Sequence, residues 1–467
     1  SKRTEPSKSD NRMVMTALFD VVSAYSALGG GCIFGKHAGT IRRVAISRDG
    51  KFAATGSGDH TGRVWDMQTG ECLAMLGSMP DNLNGGGVGR GHLHIVTSID
   101  ISPDSQFVAT VSYDKCLRIW KLSNGQPLAV LQGHMQIINC CQWFPDGHSV
   151  ITGSTDSTLR RWTIKCNGNS DLSAMNWDSN SVLEFAFAEC TSVALQDSHN
   201  DSPEFLRLTM RHRAHRPDVS CELVTLVGHR GSVFCCDASR AAGLVASAGS
   251  DGTLRLWEID KVTPDRAQDA LARSISCHRR PIQSCRFSPS GAMIATGSLD
   301  SMVKVHRVDG SLVASFDVAG DAHCVGFAMV DDYVVVCTGS SRLQVWHVDS
   351  AVHLGKLAGV AGAVSTFAIG ADGAVVIGAQ DYSVKKLGRS CQLLLPEPNQ
   401  RSSWLCWKVA DPFEPSAESD QQAPRRGRPE ERDLAVPLLS PAARSSHDAP
   451  LAPGGSSGDA HSSRSVS

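Results

Sequence analysis

Between Ile41 and Leu387 apolar and polar residues alternate in short runs, and each run stops at a turn rich in Gly, Asp, Ser or Pro. "IRRVAIS" is followed by the turn "SRDG" and then by "FAATGS". Later stretches repeat the scheme with "SPDS", "FPDG" and "SPSG" as turns and with "FVATVS" and "SVITGS" as second runs. A third run ends in Trp, and a fourth, such as "ECLAML" or "PLAVLQ", leads to the next Gly-His. Alternation at period two predicts half-buried strands, and no window carries the apolar stripe of a helix. The pattern therefore predicts an all-β chain of short antiparallel strands joined by tight turns.

The pattern has a fixed period. From His37 to Asp59 is 22 residues and from His37 to Trp65 is 28; the same intervals separate His92, Asp114 and Trp120. They return at His134, Asp156 and Trp162, and at His229, Asp251 and Trp257. A fifth copy runs from His278 to Asp300, with His306 where Trp is due. Each unit holds four strands, and a single sheet of this kind has two apolar faces that it cannot bury alone. Stacking the units face to face around an axis buries both.

Gly-His, then Asp, then Trp-Asp at this spacing resembles the WD-repeat β-propeller family over residues 30–396. The resemblance implies blades of four antiparallel strands. It also implies, in each blade, a hydrogen-bonded chain from Asp through His and a second-strand hydroxyl to the Trp indole. The fitting sets are His37, Thr55, Asp59 and Trp65; His92, Thr110, Asp114 and Trp120; His134, Thr152, Asp156 and Trp162; and His229, Ser247, Asp251 and Trp257. His278, Thr296 and Asp300 make a fifth set without its Trp. An Asp–His–hydroxyl chain also has the composition of a nucleophilic triad. That reading fails because the trio recurs in unit after unit and each hydroxyl lies inside a strand rather than on an exposed elbow. No catalytic residue, cofactor or metal is expected.

Two further units are worn. "HCVGFAMVDDYVVVCTGSSRLQVWHV" keeps Trp346 but has Ser340 at the Asp position, and "AVSTFAIGADGAVVIGAQDYSVKKL" keeps Asp381 but ends on Leu387. Seven blades are thus expected. The stretch 167–220 reads as an insertion in the third unit, with "CELVTLV" as that blade's outer strand. The alternative is an eighth, degenerate blade over 167–227, with "SVLEFAFA" as its first strand and "TSVALQD" and "EFLRLTM" as the next two. The ring must be sealed to hide its edges. Either "GGCIF" or "CQLLL" could supply the sealing strand, with some pairing of the two chain ends. Residues 1–29 read as a lead-in. Residues 397–467, rich in Pro, Ser, Ala, Arg and Glu, read as a mostly disordered tail, "SWLCWK" being the segment suited to docking back on the ring.

Composition narrows the function. With 45 Lys and Arg against 47 Asp and Glu, the net charge of −2 disfavours a general polyanion binder. The 16 cysteines are scattered with no CxxC pair, as for free thiols in a reducing compartment. There is no apolar run long enough for a membrane span and no signal-peptide pattern, so an intracellular protein is expected, cytoplasmic rather than nuclear. Because the first residue is Ser1 rather than Met, the chain is expected to be the recognition module of a longer polypeptide.

Several motifs point elsewhere. "GGCIFGKH" approaches a phosphate-cradling loop, but His37 stands where Ser or Thr must hold the metal. "GGGVGRGH" precedes a β-unit rather than the helix that a dinucleotide fingerprint requires. "PRRGRP" resembles the AT-hook family, whose Arg-Gly-Arg core enters the minor groove of A·T-rich DNA; Arg426, Gly427 and Arg428 would be that core, though Glu430 and Glu431 follow directly. A chromatin adaptor contacting DNA through this tail is one alternative function. A ubiquitin-ligase substrate receptor is another; such propellers often carry Arg or Lys two residues after the Trp-Asp, where this chain has Gln68.

The main expectation is a non-catalytic scaffold for proteins or peptides. Partners in the family often meet the narrow face, at positions three and five after the entering His and at the residue before the Asp. Carried over, these are Thr40, Arg42, Ile95, Tyr113, Asn139, Phe234, Pro281, Gln283, Leu299 and Gln380.

Overall fold

The structure, a computed structural model, describes residues 32–77, 91–166, 168–174, 182–189, 208–212, 219–264, 266–328, 331–339, 343–357, 364–387 and 393–394. Contacts divide the chain into Ser1–Cys406 and Trp407–Ser467, and all of the second unit lies outside the described residues. So do "SWLCWK", Arg426, Gly427 and Arg428. In the first unit the strands form seven antiparallel blades, and the helical content of the described residues is limited to the 3-10 turns Leu172–Ala174, Ile259–Lys261 and Ala267–Asp269.

The innermost strands of blades 1 to 7 are Ile41–Ile46, Val96–Ile101, Ile138–Trp143, Val233–Ser239, Ile282–Phe287, Ala322–Phe327 and Val364–Ile369. Each lies against the next, and the seventh returns to the first, so the ring is closed. Second strands such as Phe107–Ser112 and Tyr333–Thr338 are buried at every position because each is covered on both faces by neighbouring blades. The apolar clusters accordingly lie between blades. One joins Ile119 and Leu131 of blade 2 to Trp143 and Trp162 of blade 3, and another joins Val335 of blade 6 to Phe367 and Ile377 of blade 7.

Every innermost strand carries a one-residue bulge near its start, at Arg42, Thr97, Asn139, Phe234, Gln283, His323 and Ser365. A bulge re-aims its side chain. Thr97 Oγ1 donates to the Ile138 carbonyl at 2.6 Å, Asn139 Nδ2 to the Val233 carbonyl at 2.8 Å and Ser365 Oγ to the Ile41 carbonyl at 3.0 Å. Each bond clasps one blade to the next.

The described residues of the stretch 167–220 do not build an eighth blade. "CELVTLV" falls within Val219–Val227, the outer strand of blade 3, as the insertion reading requires. "SVLEFAFA" instead contributes Leu183–Glu189, which pairs in parallel with the outer strand of blade 2, Pro127–Gln132, and carries Leu208–His212 beyond it. Phe185 is buried there among the residues joining blades 2 and 3, which favours docking on existing blades over a new one. "TSVALQD" lies outside the described residues. The sealing strand is Cys32–Lys36, paired with Ser383–Lys386 of blade 7. Leu393–Leu394, from "CQLLL", pairs instead with Val352–Leu357 on the outside of blade 6, so the two candidate closures serve different blades.

Polar side chains fill the ring axis. Arg286 of blade 5 donates to Asp237 of blade 4 and to Gln142 of blade 3, both at 3.2 Å, and Arg43 of blade 1 lies within electrostatic reach of Asp237 and Asp100. Asp100 Oδ2 accepts the Trp143 amide at 2.7 Å and Asp237 Oδ2 the Phe287 amide at 2.8 Å. Burial pushes Asp100 up to about 7 and Asp237 up to about 6, against the lowering by these amides and by Arg43. A carboxyl raised in the folded state holds its proton longer than in the unfolded chain. The stability it contributes is full below the unfolded value near 4 and is lost as pH rises through the folded value. Asp100→Asn removes this loss and keeps an acceptor for Trp143. Thermal unfolding from pH 5 to pH 8 should therefore show the variant gaining on the parent as pH rises, by about 1–2 kcal/mol after allowance for water in the axis. A constant difference would exclude Asp100 as a titrating group in this range.

Candidate functional site

Within each blade the turn between second and third strands and the loop entering the first strand lie at the same end, because adjacent strands run antiparallel. Asp and His meet there. In blades 1 to 4 the chain from Asp through His and hydroxyl to indole has every link between 2.7 and 2.9 Å. The structure thus joins His37, Thr55, Asp59 and Trp65; His92, Thr110, Asp114 and Trp120; His134, Thr152, Asp156 and Trp162; and His229, Ser247, Asp251 and Trp257.

Chemistry fixes the direction of these bonds. The indole N–H only donates, so it gives its proton to the hydroxyl oxygen; the hydroxyl donates to Nε2, and Nδ1–H donates to the carboxylate. A neutral imidazole satisfies the chain. Burial accordingly lowers His92, His134 and His278 against the pull of their aspartates. Burial alone would raise the aspartates, but hydrogen bonds from the imidazole and backbone hold Asp114 down at about 2 and lower Asp59, Asp156 and Asp251 as well.

The same carboxylates also order the loop. The Oδ2 that meets the imidazole accepts the amide of the residue after the His, namely Ala38, Leu93, Met135, Arg230 and Arg279, at 3.0–3.2 Å. The Oδ1 atom accepts the amide two residues after the Asp, at 3.0–3.1 Å. The intervening residue takes a left-handed conformation, by Gly252 in blade 4 but also by His60, Lys115, Ser157 and Ser301. A short side chain acceptor at each Asp makes that turn tolerable outside glycine.

Blades 5 to 7 show the latch wearing away. His278 still reaches Asp300 at 3.0 Å and Thr296 at 2.9 Å, but His306 replaces the indole and burial lowers it to about 4. In blade 6 the Trp346 indole turns to Gln344 Oε1 at 3.2 Å, and in blade 7 Asp381 bonds Ser383 and Lys385 instead of a His.

The sequence motif missed one member. Arg63, Arg118, Arg160 and Arg255 each stand two residues before the Trp, and Arg118 and Arg160 are buried. A Cβ at Gly133 would come within 2.9 Å of Arg160 Nη1, and one at Gly228 within 2.7 Å of Arg255 Nη1, which is why glycine precedes His there. Where blade 5 has Lys304, its Nζ bonds the carbonyl of Cys277, the residue before His278, at 2.6 Å. The repeated Arg-x-Trp was the available signal.

The face residues fall around this end of the ring. Arg42, Tyr113 and Gln380 are exposed, and Thr40, Ile95, Asn139, Phe234, Pro281, Gln283 and Leu299 are half-buried. Asn139 is already engaged by its clasp to blade 4 and so belongs to ring cohesion. His94 stacks on both Tyr113, centroids 5.3 Å apart, and His60, 5.6 Å apart, forming a ladder across blades 1 and 2. Gln68 is exposed, its amide bonded to Asp66. Among the described residues no group of three or more His, Cys, Asp or Glu is arranged to hold a metal ion, and no helix is long and apolar enough to cross a membrane.

Two aspartates provide a controlled comparison. Asp114→Ala strands the His92 imidazole and the amides of Leu93 and Cys116, and should cost about 1–3 kcal/mol. Asp381→Ala, at a side chain 44% exposed with no His partner, should change stability by about 0.5 kcal/mol or less. Denaturant midpoints of the two variants against the parent check this, and equal losses would contradict it.

Comparison with known proteins agrees with the geometry. The family model described as "WD domain, G-beta repeat" matches residues 31–66, 87–121, 125–163, 220–258 and 270–307. The serine-threonine kinase receptor-associated proteins of Gallus gallus and Mus musculus are each 26% identical over 252 residues, covering 48% of this chain and 67% of theirs. That of Rattus norvegicus is 25% identical over the same shares. The five matched segments cover the inner three strands of blades 1 to 5, those that keep the His–Asp pair, and with the closed ring of seven they make the fold a β-propeller that carries five WD repeats.

Proposed function

We propose that this chain is a non-catalytic platform that binds other proteins or peptides on the face bearing the latches. The observation that carries the reading is the division of labour at that end of the ring. The repeated His, Asp and hydroxyl groups are engaged with one another inside the blades. Beside them, His94 and Tyr113 of the ladder, Leu93, Met135 and Arg42 remain exposed, with His60 half-buried behind His94. Exposed aromatic and aliphatic side chains held on rigid backbone are the usual anchors of protein interfaces. A fold alone names no function, so the reading rests on these side chains. The matched relatives are named for association with a receptor, which fits a role in association rather than turnover. The cysteines whose side chains are described, such as Cys140, Cys235 and Cys324, are free, as in a reducing compartment.

Affinity capture with the 467-residue chain tests the proposal. Arg42→Glu with Tyr113→Ala should reduce recovery of the bound proteins by about tenfold while leaving the melting temperature unchanged. Arg48→Glu, in a turn at the opposite end of blade 1, should leave recovery intact. Equal recovery with both variants would contradict the assignment of the face.

A further inference from the structure

The residue after each latch His is held by its amide to the latch aspartate while its side chain stands outside. From blade 1 to blade 5 these residues are Ala38, Leu93, Met135, Arg230 and Arg279. Leu93 is 82% exposed and Met135 52%, and both arginines are exposed. Five loops of the same construction therefore present an arc that is apolar over blades 2 and 3 and basic over blades 4 and 5. The neighbouring side chains extend each half. Tyr113 and His94 stack beside Leu93 on the apolar side, and exposed Arg280, tied by one nitrogen to the Leu299 carbonyl at 2.8 Å, lies beside Arg279 on the basic side. The aspartates of blades 2 to 5 on this face keep their charge, but their side chains are largely buried and turned in to their histidines and loop amides, so the arginines are the charged groups presented outward. Of the exposed acids, Asp317 ends the outer strand of blade 5, and Asp381, paired with Lys385 at 3.3 Å, lies on blade 7.

We infer that the partner, on the reading that this face binds proteins, is a linear acidic segment. An aliphatic or aromatic side chain of it lies against Leu93, Met135 and Tyr113, and its carboxylates lie against Arg230, Arg279 and Arg280. Charge complementarity selects the acidic segment in a chain whose overall net charge is −2. Arginine offers carboxylates a paired, planar set of donors, and the apolar half supplies an area to be dried on contact. A single-stranded nucleic acid fits less well. The rings that would stack on bases are already stacked on one another, and the flanking Leu93 and Met135 offer no donor to a phosphate.

The test is selection of binders to the full chain from a random dodecapeptide display library, followed by affinity measurement on synthesised winners. The inference expects peptides in which Asp or Glu lies close to Leu, Met, Phe or Trp. Their affinity should fall about tenfold or more in Arg230→Glu with Arg279→Glu, and likewise in Leu93→Ser with Met135→Ser. All four positions are exposed, and the variants keep the backbone amides that the latches hold. Winners without acidic residues, or winners unaffected by the arginine reversal yet lost with Tyr113→Ala, would overturn the acidic segment and leave the platform standing. Winners indifferent to every face variant, or no winners, would overturn both. A twelve-nucleotide oligouridylate that displaces the peptides and binds more tightly than they do would overturn the inference in favour of RNA.

Discussion

A small sheet that is apolar on both faces has no stable existence in water by itself, and this requirement shapes the whole molecule. Each blade is covered by the blade before it and the blade after it, which only a closed ring achieves for all of them. Burial draws the blades together but is indifferent to register and to the path of the loops. Directional bonds supply what burial lacks. The bulge side chains Thr97, Asn139 and Ser365 fix one blade against the next, and the Asp–His–hydroxyl–Trp chains fix the loops at one end of blades 1 to 4. A polar chain of this kind is tolerable inside the protein because every donor has an acceptor.

The latch also connects stability to function. Its carboxylate reaches out of the blade to hold the amide of the residue after the His, so a surface residue is fixed in place by a buried one. Surface side chains can then vary from loop to loop, as Ala38, Leu93, Met135, Arg230 and Arg279 do, without disturbing the frame. Blades 6 and 7, which lack the His–Asp pair, obtain cohesion by other means. Trp346 stacks on Phe316 with centroids 5.2 Å apart, and blade 7 takes its outer strand from the start of the ring, with Lys386 Nζ bonding the Met67 carbonyl of blade 1 at 3.0 Å.

Much of this was legible in the residues because the repeat states the same constraint many times. The spacing of His37, Asp59 and Trp65, repeated through blade 4, marks out the repeating units, and the family resemblance it carries implies the bonded sets. Other features appear once and have no second copy to reveal them. "SVLEFAFA" reads as a strand in the right phase for a new blade, yet nothing local says that it will dock in parallel on Pro127–Gln132. Closure by Cys32–Lys36 and the pairing of Leu393–Leu394 with blade 6 are settled by long-range geometry in the same way. At Asn139 the position in the repeat indicates where the residue sits, not which neighbour its amide will meet. The arginines before each Trp were visible as a pattern, but a charged residue in a strand reads as solvent-facing until the neighbouring glycine shows how close the backbone comes.

Amide hydrogen exchange at the residues after the latch histidines tests the central claim most directly. Leu93, Met135, Arg230 and Arg279 lie in exposed loops, and their amides should nevertheless exchange slowly because the aspartates hold them. In Asp114→Ala protection should vanish at Leu93 and persist at the other three. Exchange at these amides as fast as in an open loop, with Asp114 intact, would show that the latches do not fix the face.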